Sequence, residues 1–412
     1  FGSSTSLARS PARSVGCALG CSLAMAQPPL QVFGAESCRL ANVNLQLVAV
    51  AFVSALPVAC CLAVGKPWCA FVCIGATVVP RLMWRQGDST QNLLFVVALG
   101  FYWNLVFLTS FASPILVLMG CWFSPRCFLP LVLLYTLWAR AISRPDLRSG
   151  QAWRWFAESE WGYHAFRRFL RLRLHVPAAL RERPREHLVL FAVHPHGVAS
   201  DFRVLMDGML YAAFPNREVL TLAASVLFQL PLVRELALWT RCIDASKAVA
   251  LRAFKKGHSV MVLPGGTMEQ IRTTFGREEV HLRSGFVRLA LEAGAALVPC
   301  YVFGCVDLYK TSSAFFRLRE KIRKATGACI PLYSGSIGVL PRQVPLNVVF
   351  GEPLELAACA QPGKPTDDEV AAALRMYVEA LERLFDTNKE SFGYGSRKLV
   401  IQVQHDRRGR DQ

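Results

Sequence analysis

The sequence predicts an α/β fold, a mostly parallel sheet flanked by helices, preceded by an N-terminal membrane hairpin. Three observations predict it. Short apolar runs recur between amphipathic stretches across residues 188–350, the alternation that builds a parallel sheet with helices on its faces. Two stretches, residues 40–65 and 89–125, contain no Asp, Glu, Lys or Arg, and each exceeds the roughly 20 apolar residues that cross a bilayer. Nearly all acidic residues lie after Arg140, so charge alone divides the chain into a membrane part and a globular part.

The order of segments follows. Residues 1–39 lack an initiator Met, are rich in Ser, Ala and Arg, and read as a transit-like leader or translated upstream sequence, outside the fold. Residues 40–139 form the hydrophobic, membrane-embedded region, with spans at about 44–64 and 93–119 and kinks or re-entrant points at Pro57 and Pro114. Two further apolar runs, 67–80 and 127–138, are too short to span upright and suit the interface or an extension of the hairpin. Residues 140–395 are the globular domain and 396–412 a basic tail.

Of the side chains 53% are apolar and 18% charged, enough apolar surface for a large core with segments left over. The net charge of +17 comes from 46 Lys and Arg against 29 Asp and Glu, and the basic residues crowd into 140–185. There they mix with Trp153, Trp155, Phe156, Trp161, Tyr163, Phe166 and Phe169, as in a belt facing anionic head groups. A basic protein also suits nucleic acid, but no recognition motif is present, so no nucleic-acid partner is expected. The 14 Cys are scattered without paired metal spacing, a pattern of buried reduced thiols.

Strands are predicted at 188–193, 219–223, 259–263, 296–303 and 347–350. One helix carries Phe286, Leu289, Ala290 and Ala293 on one face and stops at Gly294. The last helix opens with Thr366 and Glu369 in capping-box spacing and continues through Val370, Leu374, Tyr377, Leu381 and Phe385 at helical period.

Chemistry is expected where strands end. The strand at 188–193 runs into His194-Pro195-His196-Gly197, at the carboxyl end where α/β folds place ligands. Pro195 stiffens the turn, Gly197 lets the backbone approach a substrate, and an imidazole can take the proton of an attacking alcohol. Asp201, five residues after His196, offers a carboxylate for the other ring nitrogen. Two neighbouring His also suit a metal, or one could merely cap the turn; no third ligand cluster stands nearby, so no metal is expected. Pro264-Gly265-Gly266-Thr267-Met268-Glu269 follows the next strand, with backbone N–H groups at Gly265 and Gly266 open to an oxyanion and Glu269 placed to orient a His or bind a hydroxyl. Its neighbour Arg272 suits an anionic phosphate. A tight strand-to-helix connection is the plain alternative. Arg283-Ser284-Gly285-Phe286-Val287-Arg288 then opens a helix whose amino end favours anions, although Arg288 equally suits pairing with Glu292.

The order of HPHG, PGG with a Glu, and RSGFVRLALEAGAALVPCYVFG resembles the type-2 diacylglycerol and monoacylglycerol acyltransferase family, and the likeness continues through GEPLEL, PTDDEV and ERLFDTNKESFG, covering residues 138–393. The resemblance implies an acyltransferase with acyl-CoA as co-substrate and no other cofactor, and a neutral lipid acceptor: diacylglycerol, monoacylglycerol or a long-chain alcohol. It implies residence in the endoplasmic reticulum membrane and at lipid droplets. Basic residues on both flanks of the hairpin put the catalytic domain in the cytosol. A homo-oligomer is compatible with it. The base role falls on His196 within the His194–Gly197 turn, a relay role on Glu269, and Arg272, Arg283, Gly285, Phe286 and Arg288 suit the phosphates or pantetheine of CoA. Two departures stand out. Asp201 gives a His-x4-Asp spacing that the family usually lacks, and Cys305 in Phe303-Gly304-Cys305-Val306-Asp307 replaces a usual carboxylate. Lysophospholipid acylation and an inactive membrane scaffold are the rival readings. The run 128–134 resembles the family's lipid-binding pattern, but in an apolar segment it carries no weight.

Overall fold

The computed structural model describes residues 30–38, helical positions 58, 59, 61, 62 and 75, and residues 93–404 except 112, 160 and 357–363. The expected span at 44–64 and the run at 67–80 lie almost wholly outside the described residues.

In chain order, β1 (Leu30–Phe33) precedes three apolar helices, α1 (Leu93–Phe111), α2 (Ser113–Phe123) and α3 (Pro125–Leu137). Helices α4 (Arg154–Ser159) and α5 (Trp161–Phe169) lead into β2 (Arg173–Pro177) and α6 (Ala178–Glu182). Alternation then begins: β3 (Val189–His194), α7 (Asp201–Ala213), β4 (Val219–Ala223), α8 (Val233–Trp239), β5 (Cys242–Asp244) and α9 (Lys247–Lys255). Next come β6 (Ser259–Val262), α10 (Gly266–Arg272), β7 (Glu279–Arg283), α11 (Gly285–Ala293) and β8 (Ala296–Phe303). The chain continues through β9 (Lys310–Thr311), α12 (Phe316–Thr326), β10 (Tyr333–Ser334), β11 (Asn347–Phe350), α13 (Asp367–Asn388) and β12 (Val400–Gln404).

The main sheet has the order β1-β2-β11-β8-β3-β6-β4-β5. The block from β8 to β5 is parallel throughout. Beyond β8, β11 is antiparallel to β8, β2 parallel to β11, and β1 antiparallel to β2. The sheet is therefore mixed but mostly parallel, as expected, its antiparallel pairings falling at β11–β8 and β1–β2. A separate parallel pair joins β12 to β7.

Alternating side chains of the central strands feed two cores, as a sheet covered on both faces requires. Val189, Phe191 and Val193 of β3 join Val298 and Val302 of β8 with residues of α1, α5 and α7. Leu190 and Ala192 join Leu297 and Phe303 with residues of α9, α11 and α13. Local signals agree: Gly294 closes α11 at φ +63, and Thr366 and Glu369 exchange hydrogen bonds in the capping box of α13.

Of the expected membrane hairpin, only the second arm falls among the described residues, and it differs from the expectation. The second expected span is two helices, with α1 ending at Phe111 and Pro114 in the first turn of α2. Phe95, Leu99, Tyr102 and Trp103 of α1 are buried in the protein core, so this helix has protein partners along one side. Among the described residues, one helical run is long and apolar enough to cross a membrane, Pro125–Leu147. It contains the 127–138 stretch that appeared too short, because a π-helical turn at Trp138–Ile142 prolongs α3. Ser113 Oγ donates to the Pro231 carbonyl at 2.9 Å, and the Tyr135 hydroxyl donates to Glu235 at 2.9 Å, tying α2 and α3 to the globular part.

The segments expected as leader and tail both contribute strands, β1 and β12. Arg397, beside β12, donates to Glu278 at 2.8 Å and to Asp307 at 2.9 Å, and the Tyr301 hydroxyl also donates to Glu278 at 2.7 Å. Arg397→Ala would leave a buried carboxylate without its cation, a loss of about 3–5 kcal/mol in fully buried pairs and less here because 28% of the arginine side chain is accessible. A fall of several degrees in the thermal midpoint of the detergent-solubilised protein is expected; an unchanged midpoint would show that the C-terminal strand is not braced by this residue.

Candidate active site

Three adjacent parallel strands, β6, β3 and β8, end at the same edge of the sheet. Their following turns bring together Gly265 and Glu269, the His194–Gly197 turn, and Cys305. The His194–Pro195 peptide is cis. Gly197 has φ +67, and a Cβ there would lie 2.5 Å from Cys305 Sγ, so both the conformation and the space call for glycine. Cys305 Sγ itself sits 3.9 Å from the Pro195 carbonyl.

His196 keeps partial exposure at this edge. Ser200 Oγ donates to the His196 carbonyl at 2.8 Å and lies 2.9 Å from ring Nδ1, which is also 3.0 Å from the Gly197 carbonyl. With its one proton committed to the carbonyl, the hydroxyl accepts from Nδ1. These partners assign the proton to Nδ1 and leave the Nε2 lone pair free. Burial lowers the pKa of His196, with the Gly197 carbonyl pulling the other way. Ser200 is a residue that the sequence reading missed. It stands at φ +56 before α7, in the left-handed region that non-glycine residues seldom occupy.

Neither carboxylate expected beside the imidazole is bonded to it. Glu269, fully buried, accepts the backbone N–H of His196 on Oε1 and that of His281 on Oε2, the latter at 2.9 Å. Burial pushes its pKa up to about 7, against the two amides. A Cβ on Gly265 would fall 2.1 Å from Glu269 Oε2, so this glycine makes room for the carboxylate. Asp201 instead accepts the Tyr309 hydroxyl, and burial raises its pKa to about 6.

His194 points to the α13 side of β3. Its Nε2 lies 3.0 Å from the Tyr377 hydroxyl, which in turn reaches the Ala192 carbonyl at 3.2 Å. Burial lowers its pKa to about 3, so the ring is neutral. Phe286 packs edge-on against Tyr377 at 5.0 Å, behind the turn rather than in an opening. Arg288 binds the Pro365 carbonyl at 2.9 Å and Asp367 at 2.5 Å, not Glu292, which pairs with Lys247. Arg272 lies 4.0 Å from Glu320, and Arg283 donates to the Met268 sulfur at 3.7 Å. Gly266 and Gly285 face open space. A cavity of about 300 Å³ is lined by Val198, Gln270, Arg272, Thr311, Ser312 and Phe316, beginning two residues from His196. Among the described residues, no group of three His, Cys, Asp or Glu is arranged to hold a metal ion.

The family model described as diacylglycerol acyltransferase matches residues 121–402. This chain belongs to that family. It is an acyltransferase. Diacylglycerol O-acyltransferase 1 of Schizosaccharomyces pombe is 28% identical over 342 residues, 74% of this chain and 91% of the yeast protein. Diacylglycerol O-acyltransferase 1 of Saccharomyces cerevisiae is 30% identical over 230 residues, covering 52% of this chain and 54% of that protein. Diacylglycerol O-acyltransferase 2-like protein 6 of Homo sapiens is 28% identical over 339 residues, 76% of this chain and 96% of the human one. No solved structure matches the chain significantly. The family match begins within α2 and ends within β12, so it spans the turns described above and the strand that braces β7.

Because Glu269 holds two amides, Glu269→Gln can satisfy only one of them through its single amide oxygen. Leaving a buried donor unpaired costs about 1–3 kcal/mol. The thermal midpoint should drop by a corresponding amount, with Glu269→Asp, whose shorter arm cannot reach both amides, doing no better. A Gln variant as stable as wild type would separate the carboxylate from the geometry of the turn.

Proposed function

We propose that this acyltransferase esterifies diacylglycerol with the acyl group of an acyl-CoA, giving triacylglycerol and CoA, with His196 as the general base. The supporting observation is the tautomer: Nδ1–H is engaged by Ser200 and Gly197, so Nε2 is the nitrogen able to accept a proton. The acceptor hydroxyl gives its proton to Nε2 as its oxygen attacks the thioester carbonyl. The tetrahedral intermediate then collapses, the carbon–sulfur bond breaks, and the imidazolium returns the proton to the CoA sulfur. No acyl-enzyme forms in this sequence. Backbone N–H groups at Gly265 or Gly197 stabilise the oxyanion, those of Gly266 and His196 being held by the Leu263 carbonyl and by Glu269, and Arg272 and Arg283, weakly engaged within the protein, receive the CoA phosphates.

The acceptor is reached from a membrane. Leu118, Trp122, Leu129, Leu131 and Leu134 on α2 and α3 are all exposed, an apolar surface suited to lipid rather than water. On this reading the protein resides in the endoplasmic reticulum membrane and at lipid droplets, its catalytic domain in the cytosol. Cys305, standing against the turn where the family resemblance leads one to expect a carboxylate, makes monoacylglycerol, fatty alcohol and lysophospholipid the acceptors to assay beside diacylglycerol.

Microsomes expressing the protein, given labelled oleoyl-CoA and each acceptor, should form labelled triacylglycerol. His196→Ala should lower turnover about 100- to 10,000-fold. A mutant with near-normal turnover would overturn the base assignment, and no product from any acceptor would favour a scaffold. Ser200→Ala removes one of two acceptors at Nδ1 and should cost about tenfold at most. Because His196 is lowered below its ordinary 6.5, kcat/KM should rise with pH through a value under 6.5 and stay level across neutrality. A profile still climbing above pH 7 would contradict a neutral imidazole.

A further inference from the structure

Helix α12 presents two different rows to its surroundings. Arg319 is buried and donates to the carbonyls of Ser312, Ala314 and Ile330, so this side of the helix faces the protein. Residues three or four apart share a helix face. Arg317, Lys321 and Lys324 therefore form one row, and all three are exposed. Phe315, just before the helix, continues into Leu318, Ile322 and Ala325 as a second row beside the first. Phe315 is 76% and Leu318 57% exposed. A water-facing helix normally keeps such a row polar.

The apolar row does not stand alone. Ile330 and Leu332 are exposed in the segment that follows α12. That segment runs through β10 to Ile337, also exposed, whose carbonyl accepts Asn104 Nδ2 of α1 at 2.9 Å. The exposed Val97 and Phe101 belong to the same α1. Apolar surface thus extends from α1 across the β10 segment to α12, with the basic row at its margin.

We infer that α12 is a second membrane contact, lying in the head-group plane of an anionic bilayer with Phe315, Leu318 and Ile322 among the acyl chains and Arg317, Lys321 and Lys324 at the phosphates. An amphipathic basic helix binds such a surface through apolar burial and electrostatic attraction together. The contact places the mouth of the cavity between α10 and α12, which Phe316, Arg319 and Leu332 line, at the bilayer surface. That last consequence rests on the lipid-acceptor reading; the docking of the helix does not.

The test uses the full chain in nanodiscs of phosphatidylcholine with and without phosphatidylserine. An environment-sensitive fluorescent amino acid replaces Leu318 in one protein and the exposed Glu382 of α13 in another. The fluorophore at 318 should shift to the blue and be quenched by brominated lipid in anionic discs, while that at 382 should remain in water. Lys321→Glu with Lys324→Glu should reduce the quenching, since each basic residue near an anionic surface contributes about fivefold to the local equilibrium. Equal, water-like emission at both positions would overturn the proposal. So would a blue shift at 318 that brominated lipid does not quench, which would mean that another protein surface covers the helix. Because fluorescence is read without substrate, an inactive enzyme would still give the answer.

Discussion

The site depends on one carboxylate that accepts two backbone amides. Glu269 reaches from the first turn of α10 to the N–H of His196 on one side and to that of His281 in β7 on the other. A charge-assisted bond to a backbone amide fixes position more than identity. The carboxylate therefore sets where the turn after β3 lies relative to the turn after β6 and to a strand outside the main sheet. Gly265 contributes by being small, since any side chain there would occupy the place of the carboxylate oxygen.

With Glu269 bound to backbone and Asp201 to Tyr309, the imidazole is oriented by neutral groups, a hydroxyl and a carbonyl. A carboxylate at Nδ1 would raise the basicity of the ring and stabilise its protonated form; a hydroxyl and carbonyl orient it and do less of either. His194 contributes from behind. Neutral, buried and bonded to Tyr377, it anchors the end of β3 to the long helix α13, and Phe286 supports Tyr377 in turn. The two histidines play different parts because β3 ends at His194, which points to the α13 side, whereas His196 lies in the turn beyond the strand and is freed from the alternation that would put residues i and i+2 on one face.

Much of the central architecture was legible because apolar runs flanked by polar turns mark buried parallel strands. The runs at 219–223, 296–303 and 347–350 match observed strands residue for residue. The strands β2 and β7 were not, because Arg173, His175, Glu279 and His281 break the apolar run and their pairing partners lie far away in sequence. At the site, the turns and their glycines could be read from residue type at strand ends. The ring partner could not. The His-x4-Asp spacing points to Asp201, and no one-dimensional signal indicates that a serine in the left-handed region intervenes at Ser200. Membrane geometry was the least legible, since apolarity marks contact with lipid and with a protein core alike, and α1 meets its core partners along one side.

The parallel pairing of β12 with β7 has a consequence for how the protein is made. His281, whose amide completes the hold of Glu269, sits in a strand whose ladder partner is Val400–Gln404, translated more than a hundred residues later. While the ribosome is still reading α13, the β3, β6 and β8 turns have already been synthesised, but the strand that carries one of their two ties has no neighbour to pair with. The turn after β3 thus gains its full bracing only once the β12 segment has been made and has paired with β7, so the candidate site is not fully held until a segment far downstream of it has folded.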